Sequence, residues 1–203
     1  MDFFLPFLIL LPGAFFAPVI HEFVKARVSV SLGDPTPKRN GFITCNPFRY
    51  FEPLGFIMMI FFQVGWGQPV KTSPYGYRDR SKGIALTYAT PMVVNLFIGM
   101  LTIFLLSVFS GVLSDYDILH TTIKMFGVLN IRLAIFNLIP IHPMAMSKII
   151  HIFVSPETSM QLNHREKYLQ ILLLFLILPI FSNVSMLESF ISPVTNIFIK
   201  AVS

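Results

Sequence analysis

From Gly83 to Ser114 the chain runs without one charged side chain, and residues 3–20 and 168–187 do the same. A helix of about 20 residues crosses a hydrocarbon core of about 30 Å. Inside that core every backbone N–H and C=O must find its partner within the protein, so such runs fold as membrane helices. Composition agrees: 12% of residues are charged and the mean hydropathy is +0.71, against about 25% charged residues in a soluble domain. There is too little polar surface to coat a water-facing globule.

Residues from about 3 to 32 read as one long helix, apolar to Ile20 and amphipathic from His21 to Leu32. Pro6, Pro12 and Pro18 can kink it, which membrane helices tolerate, and Gly33-Asp34-Pro35 stops it. With no basic stretch before it and no small-residue cleavage site after it, this segment is expected to be a retained helix and not a signal peptide. Residues 34–50 are polar and basic, with a short strand expected at Phe42–Cys45. Leu54–Trp66 is apolar but short for a full span, and 67–82 is polar and turn-rich. Residues 83–110 and 118–136 read as spanning helices, the second interrupted at 137–143 and resuming over 144–154. A polar loop is expected at 155–168, then apolar segments at 169–182 and 184–201. The expected fold is an all-α polytopic membrane protein, with about five to six membrane helices and a small β-strand insertion between the first and third. It is read as a single domain over 1–203, with a core at 10–154 and C-terminal helices at 165–201.

The net charge of +5 is concentrated in connectors. Lys and Arg fall at 34–50, 67–82 and 155–168, whereas the connector at 111–117 carries Asp115 and Asp117. The positive-inside rule places the basic connectors on the cytoplasmic side of a multi-pass cell-membrane protein. No basic helix interleaved with aromatics is present, so a nucleic-acid partner is not expected. The lone Cys45 has no partner for an internal disulfide and is expected to pack as a small apolar residue.

Polar groups within apolar helices are costly and so mark candidate sites. His21 and Glu22 are adjacent, and Lys25 follows one turn later on the same face. Asn95, Asn130 and Arg132 sit inside later apolar helices, and His142 lies in the interrupted stretch. Zincin-type proteases place two histidines at i and i+4 with a glutamate after the first; the imidazoles hold zinc and the carboxylate takes a proton from bound water. Here His21-Glu22-Phe23-Val24-Lys25 has that pattern without the second histidine. Lys25 is expected either to pair with Glu22 as a buried counter-charge or to snorkel to the interface. Arg132 is expected to meet a backbone carbonyl, an acid such as Glu52, or an interface.

Five segments in order carry a resemblance. They are Ala17–Pro37 (APVIHEFVKARVSVSLGDPTP), Gly41–Gly55 (GFITCNPFRYFEPLG), Gly65–Arg78 (GWGQPVKTSPYGYR), Ala89–Asn95 (ATPMVVN) and Asn130–Lys148 (NIRLAIFNLIPIHPMAMSK). Together they resemble the site-2 protease family of intramembrane zinc metalloproteases in its compact bacterial form. The resemblance implies that His21 is the first zinc ligand, Glu22 the general base and Asn95 the residue assisting the substrate carbonyl. It places Lys25 at the second histidine position, Ala145 at the ligand aspartate and Met146 at the glycine after it; Thr90 replaces a family glycine and His142 a family proline.

Two of three ligand positions therefore lack a usable lone pair: alanine has no donor atom, and an ammonium offers only N–H groups. A catalytic zinc ordinarily takes three protein ligands and a water. The expected function is a catalytically inactive pseudoprotease that binds membrane-spanning segments or a regulatory membrane partner within the bilayer, with no cofactor. The alternative is an active intramembrane zinc metalloendopeptidase with altered ligands, His142 serving as a substitute; a small transporter or channel component is a third reading.

Overall fold

The computed structural model describes residues 4–113, 116–142, 144–179 and 184–203. The helices are α1 (Leu5–Ser31), α2 (Thr36–Arg39), α3 (Pro53–Phe62), α4 (Arg80–Val108), α5 (Ser110–Leu113), α6 (Asp117–Asn137), α7 (Ala145–Ile150), α8 (Pro156–His164), α9 (Glu166–Ile177) and α10 (Met186–Lys200), with a 3₁₀ turn at Pro47–Arg49. Among the described residues three helices are long and apolar enough to cross a membrane: Leu5–Ser31, Arg80–Val108 and Asp117–Phe136. Pro53–Phe62 and Tyr168–Ile177 are apolar but shorter.

The three long helices pack against one another, α4 against α6 most extensively. Small residues allow that approach. A Cβ added at Gly99 would lie 2.7 Å from the Gly127 carbonyl oxygen, so the two backbones can meet this closely only while position 99 stays bare. Around this seam Ala14, Ala17, Ile103, Leu129, Ile131, Leu133 and Phe136 are buried, and Leu187 and Ile191 of α10 complete the core. Faces that carry Leu8, Phe16, Val93, Phe97, Phe104 and Phe175 are exposed in the protein alone, as lipid-facing surfaces should be.

The first helix ends as its sequence demands. Gly33 has φ +111°, a conformation that side chains rarely adopt. Asp34, fully buried, then ties the turn together: Oδ1 accepts from the Thr36 amide at 2.9 Å, and Oδ2 accepts from the Ser73 amide at 2.8 Å and the Ser29 hydroxyl at 3.0 Å.

Three expectations are corrected. No strand occurs among the described residues, so the β insertion expected near 42–45 is irregular chain. The physical reason is where the backbone bonds go. The Tyr50 hydroxyl takes up the carbonyls of Phe42 and Thr44, while the amides of Val70 and Ser73 are bound by the carboxylates of Glu22 and Asp34. Pro69 and Pro74 have no amide to offer a ladder. The stretch 155–168 is largely helical in α8 and the start of α9. Cys45 is exposed, with its sulfur 3.9 Å from Arg27 Nη2, and does not serve as core. Part of the segment expected at 169–182 lies outside the described residues.

Candidate functional site

Four of the positions singled out from the sequence meet at one cavity of about 120 Å³. His21, Glu22 and Lys25 reach it from α1, and Ala145 from the first position of α7. Between them stand Gly65, Trp66 and Gly67 of the stretch after α3, Tyr88 of α4, and Leu133 and Asn137 of α6. The break in the last long helix puts Ala145 there: α6 ends at Asn137, whose side-chain oxygen accepts from the Ala145 amide at 3.3 Å and pins the restart to the cavity wall.

His21 is held from behind. Asn130 donates through Nδ2 to the Phe126 carbonyl at 2.9 Å, which turns its Oδ1 toward Asn95; Asn95 Nδ2 donates to that oxygen at 2.9 Å and to the Ala17 carbonyl at 3.0 Å. With both amide hydrogens committed, Asn95 faces His21 Nδ1 with its oxygen, at 3.2 Å. An oxygen acceptor there assigns the proton to Nδ1 and leaves the lone pair on Nε2. Asn95 and Asn130 are both fully buried. Asn95 thus sits behind the histidine and does not line the cavity.

Glu22 is engaged on both sides. Lys25 Nζ donates to its two oxygens at 3.4 and 3.2 Å, and the Val70 amide donates to Oε2 at 2.8 Å. The Lys25 ammonium also lies 5.1 Å from the centre of the Tyr88 ring, a cation–π contact. Lysine and glutamate side chains are 10% and 9% exposed, so the pair is buried and the lysine does not snorkel to an interface.

The donors present do not suit a catalytic zinc. The cavity offers one imidazole lone pair, a carboxylate already bound to an ammonium, and at Ala145 a methyl group without a donor atom. Among the described residues no three His, Cys, Asp or Glu stand close enough to share a metal. His142 is not in this cavity; it lines a separate small one with Pro140, Ser147 and His151.

Arg132, buried at 3% exposure, points the other way. Its Nε donates to the Gln63 carbonyl at 3.2 Å, and its guanidinium forks onto Glu188 of α10, with Nη1 to Oε1 at 3.1 Å. Glu52, the acid expected from the sequence, instead caps α3 by accepting from the Gly55 amide. Sequence reasoning missed Glu188, Tyr88 and Asn137. Glu188 had a signal, being an isolated charge in the otherwise apolar tail. Tyr88 also had one, standing two turns before Asn95 on α4.

Fold and site together define a membrane protein in which long apolar helices enclose a small cavity bearing a histidine–glutamate pair. The chain is similar to the "Putative zinc metalloprotease YwhC" of Bacillus subtilis (strain 168), with 28% identity over 155 residues that cover 73% of this chain and 70% of that protein. No family model and no solved structure matches the chain.

Proposed function

We propose that this chain is a site-2-protease-like membrane protein that has exchanged metal chemistry for binding, a pseudoprotease that holds spanning or locally unwound segments of other membrane proteins. One observation carries this reading: within the cavity Lys25 occupies Glu22 as its counter-charge, and Ala145 adds only a methyl group to the wall. A carboxylate whose two oxygens are engaged by the Lys25 ammonium and the Val70 amide is less free to reach a water or a substrate. The similarity to a protein named as a zinc metalloprotease supports the scaffold, as does convergence of positions 21, 22, 25 and 145, distant in sequence, on one cavity. The chain crosses the cell membrane several times as one domain, with its basic connectors and the cavity toward the cytoplasmic side.

The test is metal content and cleavage, measured on one preparation. The purified chain is expected to retain far less than one zinc per molecule and to leave a membrane-segment substrate uncut with zinc added. Stoichiometric zinc, or product that disappears in Glu22→Gln, would establish the metalloendopeptidase instead. Lys25→His combined with Ala145→Asp restores the donor set and is expected to raise zinc retention toward one per chain.

A further inference from the structure

The cavity that gathers His21, Glu22 and Lys25 has a polar atom that the fold leaves without a partner. His21 is 5% exposed and lines the cavity, yet among the described residues only its Nδ1 is bound, to Asn95 Oδ1 at 3.2 Å. Asn95 does not line the cavity, so the ring turns its other nitrogen, Nε2, toward the space. With the proton held on Nδ1, Nε2 presents a lone pair and can only accept. The relay from the Phe126 carbonyl through Asn130 and Asn95 fixes that tautomer.

Lys25 supplies the complementary group one turn on, the spacing at which helical side chains are neighbours. Its ammonium carries three N–H groups and Glu22 takes two, at 3.4 and 3.2 Å, so one is left for a further acceptor. An entering group therefore meets an acceptor and a donor side by side. A carboxylate can only accept, and would face the His21 lone pair and the charge of Glu22; an ammonium can only donate, and would face Lys25. Since Glu22 and Lys25 already neutralise each other, neither ion would find a counter-charge to offset its desolvation. An apolar side chain would leave both groups unpaired. A hydroxyl donates and accepts through one oxygen. Size narrows the choice: about 120 Å³ is less than the roughly 150 Å³ of a cavity that takes up benzene, so a phenol is too large and an aliphatic alcohol fits.

We infer that the cavity reads a serine or threonine hydroxyl on the segment it holds, with His21 Nε2 accepting from that hydroxyl and Lys25 Nζ donating to it. This specificity rests on the segment-binding function proposed above and stands only if that function does.

The experiment uses the full chain in lipid nanodiscs and a fluorescent membrane-spanning peptide of leucine and alanine. The peptide is broken at its centre by Gly-Pro and carries Thr, Val, Asp or Lys beside the break; binding is followed by anisotropy. The threonine peptide is expected to bind about fivefold more tightly than its valine isostere, the worth of about one net hydrogen bond. The Asp and Lys peptides should bind more weakly than the Val peptide. His21→Phe should remove the preference for Thr while the Val peptide binds as before. If His21→Phe fails to fold, the nitrogen NMR signal of His21 Nε2 in the unaltered chain supplies the readout: the threonine peptide should shift it and the valine peptide should not. Thr and Val peptides binding alike would overturn the hydroxyl specificity and leave segment binding standing. Tightest binding of the Asp peptide would overturn it as well. If no peptide binds at all, segment binding itself fails and the specificity falls with it.

Discussion

Lys25 and Glu22 form their ion pair within one turn of a single helix, whereas Arg132 and Glu188 reach across 56 residues to join α6 to α10. The first pair is buried at both ends, whereas in the second only Arg132 is buried and Glu188 is partly exposed. The first opens onto a cavity, and its links to distant elements are the Val70 amide on Glu22 and the contact of Lys25 with the Tyr88 ring. The second closes three elements at once, because Arg132 also binds the carbonyl of Gln63, a residue in the left-handed conformation that ends α3. A local pair neutralises charge; a distant pair also fixes architecture. Their replacement should separate these roles.

The largest loss is expected from Glu188→Ala. It leaves a guanidinium that is 4% exposed with only the Gln63 carbonyl, and stranding a buried charge typically costs about 3–5 kcal/mol. Thermal melting in detergent should show a marked fall. Arg132→Met should cost less, since the Glu188 side chain is 34% exposed and can be hydrated. If the two variants melt alike, the asymmetry argued here is wrong.

Lys25→Met should come next, at about 1–3 kcal/mol. Glu22 then keeps its bond from the Val70 amide and faces a cavity large enough to admit water, so the stranded charge is partly relieved. Lys25→Met exceeding Glu188→Ala in cost would make the cavity pair the architectural one and reverse the comparison.

The same contrast explains what could be read from the sequence. The Glu22–Lys25 pair of charges was legible because helical spacing alone puts residues 22 and 25 on one face. The long helices α1, α4 and α6 were legible because uncharged runs have few ways to fold. The pairing of Glu188 with Arg132 was hidden because nothing local ties the two together. The expected strand failed for a related reason. Extended, β-branched residues near 42–45 and 68–73 have suitable composition, but the carboxylates of Glu22 and Asp34 and the hydroxyl of Tyr50 claim their backbone groups from a distance.

Asp34 extends the comparison to a buried carboxylate with no cation and gives the smallest expected effect. Burial alone raises its pKa, but hydrogen bonds from Thr36, the Ser73 amide and the Ser29 hydroxyl outweigh that and hold it below the ordinary 3.8. A carboxyl whose folded pKa is depressed stabilises the fold above its unfolded pKa, and that contribution is lost as pH falls through the folded value. Stability should therefore be flat in this respect above about pH 4 and decline below it. Asp34→Asn keeps one acceptor oxygen where two are used, so it should lower stability near neutrality by about 1 kcal/mol and flatten the acid decline. Melting curves of both proteins between pH 3 and 7 measure this directly. An unchanged acid slope in Asp34→Asn would mean that hydrogen bonding by neutral donors does not hold this turn, and that of the buried acids only those paired with cations matter to the fold.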